Sequence, residues 1–185
     1  FKSLESSSYK QMGIRYDQSE VLKQENSLKP KTMEIKDFTF AYDKYSKKKQ
    51  LDINSAKIPR GEIIAIIGDN GSGKSTFAQC LSGLLKGFKG HVLYENRRFS
   101  RKQLLKKSYM VFQDVNTQLF TESLNQELQL LNHKVSETQC DDMLESMNLL
   151  DKKYEHPLSL SGGEKQRMAI ATAIMSEKEI IIFDE

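Results

Sequence analysis

Cysteine and long apolar runs are both scarce in this sequence, and each scarcity excludes a class of protein. Only two of the 185 residues are cysteines. Cys80 and Cys140 lie far apart, without the spacing of metal ligands, so a disulfide framework is not expected. The longest apolar runs, residues 63–67 and 180–183, are far shorter than the roughly 18 residues of a candidate membrane span. No signal peptide opens the chain, and we therefore expect an intracellular protein from a reducing compartment.

An excess of charge of one sign is also missing. The 28 Lys and Arg residues face 25 Asp and Glu residues, which leaves a formal net charge of +3. A dedicated nucleic-acid-binding domain is usually strongly basic, so no nucleic acid is expected as a partner. With 38% hydrophobic and 29% charged residues, the composition is typical of a folded chain of about one domain.

The N-terminal third of the chain changes character twice. Residues 1–31 are polar and show no sustained apolar period, which predicts a linker or a weakly ordered tail. Partial alternation then predicts strands over residues 33–40 and 51–58, which we expect to form an antiparallel layer. The almost continuous apolar run 62–67 predicts a strand buried on both faces, as in a parallel α/β sheet. A glycine-rich stretch, residues 68–73, follows it directly.

The remaining pattern alternates between helix and strand. Helices are predicted over residues 75–85 and 161–176, short strands over 91–94 and 108–112, a solvated basic connector over 101–107 and a buried strand over 180–183. The chain is helical in character between residues 122 and 150, where Ser136 and Gln139 predict a capping box at a helix start. The apolar residues of that helix share one face: Cys140, Met143, Leu144 and Met147.

The motif with the most specific chemistry is G-x-x-x-x-G-K-[ST], which residues 68–75 match. It lies between a predicted buried strand and a predicted helix, as phosphate binding requires. Its glycines allow successive backbone amides to turn inward around an anion, and the helix N-terminus adds partial positive charge at the same point. Lys74 then brings an ammonium group to the β- and γ-phosphates, and the Ser75 hydroxyl is suited to Mg²⁺. The motif predicts a nucleotide-binding loop.

Two adjacent acids close the chain. Asp184 and Glu185 follow the apolar run 180–183, so they lie at the end of a strand, where open α/β folds bind their ligands. A carboxylate there suits Mg²⁺, held through water because this ion keeps much of its hydration shell. The second carboxylate could polarise an attacking water as a general base. Taken alone, the pattern is also typical of a plain strand end.

A third motif lies at a predicted helix start. Ser161 and Glu164 fit a capping box, but a cap does not need Gly162 and Gly163, because glycine costs about 1 kcal/mol relative to alanine within a helix. Two glycines in the first turn favour a helix N-terminus that a phosphate approaches closely. Both interpretations hold together.

These motifs resemble those of the ATP-binding cassette (ABC) ATPases. Residues 68–75 look like the family's Walker A loop, Asp184 and Glu185 like its Walker B strand with the catalytic glutamate, and residues 161–167 like its signature motif. Gln113 matches the Q-loop, and Tyr42 stands where the family places an aromatic ring that stacks on adenine. The resemblance covers about residues 32–185, in the right order.

The resemblance implies a set of functional residues. ATP would be bound by Tyr42, Gly68, Asp69, Asn70, Gly71, Ser72, Gly73, Lys74, Ser75 and Thr76. The ATP held by a partner subunit would be contacted by Ser161, Gly162 and Gly163. Mg²⁺ would be served by Ser75, Gln113 and Asp184, and catalysis by Glu185 and Gln113.

The resemblance also implies a fold and partners. The fold is the α/β P-loop NTPase type: a mostly parallel core sheet, an N-terminal antiparallel β subdomain, and an inserted helical subdomain at about residues 115–160. A second cassette, identical, different or fused in tandem, would bind head to tail, and a transmembrane transporter subunit would contact the helical subdomain. The ATPase would then lie on the inner face of the cell membrane.

The branch of the family is left between two alternatives. Residues 113–120 are similar to the stretch after the Q-loop in energy-coupling-factor and cobalt-type importers, which favours a transporter. The alternative is a soluble cassette protein that acts on the ribosome. The chain begins with Phe1 and stops at Glu185, before the last strands of the family's core. We therefore expect a fragment of a longer protein, for example a tandem cassette, that binds ATP but hydrolyses it poorly.

Overall fold

The computed structural model describes residues 32–43 and 49–184. The predicted tail over residues 1–31, most of the hairpin connection and Glu185 lie outside the described residues. In chain order, the strands are β1 (Thr32–Phe40), β2 (Leu51–Pro59), β3 (Lys89–Tyr94), β4 (Arg97–Phe99), β5 (Ser108–Val111) and β6 (Ile180–Phe183). The helices are α1 (Lys74–Leu81), α2 (Arg101–Lys107), α3 (Leu124–Gln129), α4 (Glu137–Ser146) and α5 (Gly162–Met175).

The predicted antiparallel layer is confirmed and contains four strands in the order β2-β1-β3-β4. β1 pairs antiparallel with β2, for example Ile35 with Ala56, so the predicted hairpin forms. α1 packs against this layer: the ring of Phe77 meets that of Phe38 edge-on, with the centroids 6.0 Å apart. This contact fixes the helix whose N-terminus follows the phosphate-loop motif.

A second, parallel sheet consists of β5 and β6, paired from Ser108 with Ile180 to Val111 with Phe183. β6 forms as predicted, but it is not buried on both faces. Ile181 and Phe183 are 37% and 50% exposed, because among the described strands β6 pairs only with β5 and only one of its faces is covered.

The predicted strand over residues 62–67 is wrong for this structure. That segment has no strand assignment, and Ile63 and Ile67 are exposed to solvent. The physical reason is the lack of a partner: in the part of the chain that the structure describes, no strand forms a ladder with this segment. A strand needs hydrogen bonds from a neighbour, whereas apolar composition supplies only the tendency.

Two predictions between residues 75 and 107 need correction. α1 ends at Leu81, earlier than residue 85, because Gly83 adopts a left-handed conformation (φ 80°). The amides of Gly83 and Leu84 donate to the carbonyls of Cys80 and Gln79, which makes a Schellman termination. The predicted connector over residues 101–107 is helix α2, started by a capping box and anchored by the fully buried Leu104.

The helical predictions further along the chain are confirmed. Ser136 and Gln139 form the predicted capping box of α4, and Cys140 and Leu144 on its apolar face are fully buried. α3, α4 and α5 share one hydrophobic core: Leu119, Leu124, Leu128, Val135, Cys140, Leu144, Leu149, Leu160, Met168 and Ala171. No helix among the described residues combines the length and the apolar character needed to cross a membrane.

Candidate functional site: a phosphate loop beside two strand ends

The phosphate-loop motif is placed by close contact with the antiparallel layer. Gly71 and Gly73 adopt left-handed conformations, with φ of 80° and 98°. A Cβ on Gly73 would lie 2.9 Å from Cδ2 of Leu51 and 3.0 Å from the carbonyl oxygen of Gln50. Only glycine therefore allows the loop both this backbone conformation and this approach to β2. The Gln50 side-chain amide also donates to the carbonyl of Gly71, at 3.3 Å.

The lysine of the motif is folded back over its own loop. Lys74 Nζ donates to the carbonyls of Gly68 (2.8 Å) and Asp69 (2.9 Å). Around it, the amides of Gly73, Lys74 and Ser75 at the start of α1 find no acceptor among the described residues. An ammonium group and free amides at a helix N-terminus suit an anion, and the phosphate chain of ATP therefore fits these residues.

Tyr42 lies beside the first turn of α1. Its hydroxyl and that of Thr76 form a hydrogen bond of 3.0 Å. The ring meets Phe40 edge-on, with the centroids 5.0 Å apart, and remains 66% exposed. An exposed aromatic ring anchored to the helix that follows the phosphate loop is available to stack on a base.

The two predicted metal-site residues Gln113 and Asp184 follow neighbouring parallel strands. Gln113 comes just after β5 and Asp184 just after β6, and the Asp184 amide donates to the carbonyl of Val111 at 3.0 Å. Asp184 lines a cavity of about 830 Å³ together with Lys74. The phosphate-loop lysine and the strand-end aspartate thus line one cavity, whereas Ser75 and Gln113 are not among its lining residues.

The donor set of this region fits Mg²⁺ when its ligands are completed from outside the chain. The described residues hold no cluster of three or more His, Cys, Asp or Glu side chains that could bind a metal ion. Ser75, Gln113 and Asp184 each offer an oxygen, the type of ligand that Mg²⁺ prefers, and this ion usually takes its remaining ligands from water and phosphate. Glu185, the predicted general base, lies outside the described residues.

The capping box of the third motif forms as predicted. The Glu164 carboxylate accepts hydrogen bonds from the amide and the hydroxyl of Ser161, at 2.8 and 2.7 Å. It also pairs with Lys152 at 2.7 Å. The hydrogen bond from Lys152 and those from Ser161 lower the pKa of Glu164 to about 2. These contacts fix the start of α5.

Among the described residues, nothing packs tightly against the glycines of this motif. A Cβ on Gly162 would meet nothing within 4 Å, and the neighbouring Ser161 and Gly163 are exposed. Among the described residues that line the cavity of Lys74 and Asp184, none belongs to this motif. The structure therefore does not bring the third motif to the phosphate loop of the same chain.

Sequence reasoning missed two side-chain amides near the site. Gln50 contacts the phosphate loop as described above. Gln118 bonds the backbone at the end of β5: its Oε1 accepts from the amide of Phe112 (2.7 Å) and its Nε2 donates to the carbonyl of Met110 (2.6 Å). No local pattern predicts either contact, because a bond between a side-chain amide and a backbone group in a loop has no fixed spacing.

Comparison with known protein families gives one match that covers most of the chain: residues 51–185 match the family described as ABC transporter. A putative ABC transporter ATP-binding protein of Treponema denticola is 46% identical over 125 residues, which are 68% of this chain and 26% of that protein. The energy-coupling factor transporter ATP-binding protein EcfA1 of Lactococcus lactis subsp. cremoris is 37% identical over 84% of this chain and 59% of its own length. The chain thus spans about a quarter to three-fifths of these curated relatives.

Solved structures of ABC transporter proteins also resemble this chain in fold. A structure of cbiO1 from Clostridium perfringens, part of the ABC transporter complex cbiONQ, has 30% identity and a TM-score of 0.69. The match covers 85% of this chain and 66% of that one. A bacterial Atm1-family ABC exporter with ATP bound has 26% identity and a TM-score of 0.70 over 86% of this chain and 30% of the exporter. The expected P-loop NTPase fold is confirmed by these neighbours.

Proposed function

Because this chain belongs to the ABC transporter family, we propose that it is the part of such a transporter that binds and hydrolyses ATP. The observation that carries the proposal is the phosphate loop. Lys74 lies over the loop carbonyls, and the first amides of α1 are without acceptors among the described residues. A positive charge and several free donors at the start of a helix suit the phosphate groups of a nucleotide.

In this proposal, the residues around the phosphate loop hold the nucleotide. The loop residues 68–76 wrap the phosphates, and the exposed ring of Tyr42 stacks on adenine. Ser75, Gln113 and Asp184 would hold Mg²⁺, which when bound neutralises charge on the β- and γ-phosphates. Lys74 contacts the terminal phosphates and stabilises the charge that develops on them.

Glu185 is proposed to orient and deprotonate the attacking water. A Glu185→Gln variant, assembled with its partner cassette, should still bind ATP and lose turnover, since the amide cannot accept the proton. Turnover of that variant at the parental rate would remove Glu185 from this role.

A second cassette is proposed to complete the site. Ser161, Gly162 and Gly163 are exposed, Gly162 faces open space, and none of them lines the cavity of Lys74 in the same chain. These observations support a contact with ATP held by another cassette, whether identical, different or fused. We expect slow hydrolysis by the 185-residue chain as a monomer, because the half of the site that a second cassette supplies is then missing.

The transporter is proposed to be an importer of the energy-coupling-factor type. The support is the similarity to EcfA1 and to cbiO1, whose names assign them to transporters. The ATPase would then lie at the inner face of the membrane and contact a transmembrane subunit. The same names disfavour the alternative, a cassette protein that acts on the ribosome.

Co-purification from cell extracts tests the transporter assignment. The longer protein that carries this sequence, tagged and extracted with mild detergent, should recover a polytopic membrane protein. A tagged Lys86→Ala variant, altered at an exposed residue outside the motifs, is the matched control. Recovery of ribosomes without a membrane protein would contradict the transporter assignment and leave ATP binding untouched.

A further inference from the structure

Gln118 bridges two backbone groups at the end of β5. Its side-chain amide accepts from the Phe112 amide at 2.7 Å and donates to the Met110 carbonyl at 2.6 Å. Both distances are at the short end of the range for protein hydrogen bonds. The amide thus presents one acceptor and one donor to β5, as a neighbouring strand would.

The bridge lies on the edge of β5 that faces away from β6. Successive residues of a strand direct their backbone groups to opposite edges. Val111 faces β6, since its carbonyl accepts from the Asp184 amide at 3.0 Å. Met110 and Phe112 therefore face the other edge, where Gln118 bonds them. β5 is held between β6, which Asp184 directly follows, and the Gln118 side chain.

The bridge also closes the loop that contains Gln113. Residues 113–117 leave the strand at Phe112 and return at Gln118. Inside this loop, the Asp114 carboxylate accepts from the Asn116 amide at 3.1 Å, and the Thr117 hydroxyl donates to the Asp114 carbonyl at 2.8 Å. At its tip, Lys165 of α5 donates to the Asn116 side chain at 3.0 Å.

Gln113 itself is exposed, and no hydrogen bond of its side chain to a described residue is found. Its position is therefore set by its backbone. Phe112, the residue directly before it, is held by Gln118. A residue that holds the backbone next to a ligand acts as an outer-shell support of that ligand.

We propose that Gln118 is a positioning residue, which fixes Gln113 relative to Asp184 so that both can serve one Mg²⁺ with bound ATP. This inference rests on the proposed function, because it takes Gln113 as a magnesium ligand. It assigns Gln118 no contact with ATP or with the metal ion.

Substitution of Gln118 by methionine tests the proposal. Methionine is unbranched and fills similar space, so Gln118→Met removes both hydrogen bonds without adding charge. The matched control is Gln126→Met: Gln126 is an exposed residue of α3 whose amide oxygen accepts from the Glu122 amide at 3.3 Å, away from the site. Equilibrium ATP affinity is measured with Mg²⁺ and with EDTA, and amide hydrogen exchange is measured at Phe112.

The variant should change the part of ATP binding that depends on Mg²⁺ and leave the part that does not depend on it unchanged. In Gln118→Met we expect faster amide exchange at Phe112 and unchanged ATP affinity in EDTA. The factor by which Mg²⁺ increases ATP affinity should fall about tenfold, which is the lower end for loss of an outer-shell partner. Gln126→Met should match the parent in all three. If Gln118→Met loses ATP affinity in EDTA through misfolding, Gln118→Leu, which also lacks both hydrogen-bonding groups and adds no charge, replaces it with the same expectation.

Two outcomes are distinguishable failures. Faster exchange at Phe112 with an unchanged magnesium gain would overturn the positioning role and leave the proposed function standing. Absence of ATP binding by the parent chain, with or without Mg²⁺, would overturn the proposed function itself.

Discussion

Two regions of the molecule differ in how completely their apolar side chains are buried: the helical region, residues 115–175, and the phosphate-loop region, residues 62–73. In the first, apolar residues from three helices bury one another completely, as Leu144 and Met168 do. In the second, Ile63 and Ile67 are as apolar but are exposed. Helices satisfy their own backbone, whereas an extended segment needs a partner strand. The functional loop thus follows a segment that has no strand partner among the described residues.

Paired truncations in the two regions should give the largest difference. Leu144→Ala removes a fully buried side chain and should lower the free energy of unfolding by about 2–5 kcal/mol. Ile63→Ala alters an exposed side chain and should change it by less than about 0.5 kcal/mol. Urea unfolding of both variants and the parent measures the difference. Equal losses would mean that residue 63 is buried in solution.

A pair of glycine substitutions contrasts the two motifs. Gly73→Ala places a side chain at φ 98° and within 3.0 Å of β2, and the left-handed conformation alone costs about 1–2 kcal/mol. Gly162→Ala meets open space and should leave stability within about 1 kcal/mol of the parent, on the favourable side for a helical site. Thermal unfolding compares the two. A larger loss for Gly162→Ala would contradict the account of both motifs.

The smallest expected effect on stability comes from the carboxylate of Glu164, which caps α5. This contribution depends on pH. The pKa of Glu164 is lowered from 4.5 to about 2, first by the hydrogen bond from Lys152. A lowered pKa in the folded state stabilises the fold above pH 4.5, and this contribution is lost as the pH falls toward 2. Carboxyl NMR should show Glu164 titrating well below pH 4.5.

Lys152→Met is the matched variant for that titration. Removal of the Lys152 hydrogen bond should raise the pKa of Glu164 toward 4.5, while the bonds from Ser161 keep part of the shift. A titration curve unchanged by this substitution would contradict the assigned cause.

Features that depend on neighbouring residues are predicted from the sequence, whereas features that depend on residues further along the chain are not. Ser136 with Gln139 marks the start of α4 because a capping box involves only residues three apart. The motif around Lys74 predicts the loop because its glycines and its lysine act locally. Residues 62–67 were predicted as a strand from composition, and the prediction failed because strand formation depends on distant partners. Gln118 was missed for the same reason, since its bonds to Met110 and Phe112 follow from the path of the loop.

Phosphate binding by the loop is tested by the ATP affinity of Lys74→Ala. Lys74 Nζ lies over the loop carbonyls, and loss of a charge-assisted hydrogen bond to phosphate should weaken ATP binding by about tenfold or more. Lys86→Ala, at an exposed residue after α1, is the control for loss of one positive charge. The account predicts tight binding by the parent and by Lys86→Ala, and weak binding by Lys74→Ala. Equal affinity of all three would mean that the loop does not bind phosphate, which would contradict the account.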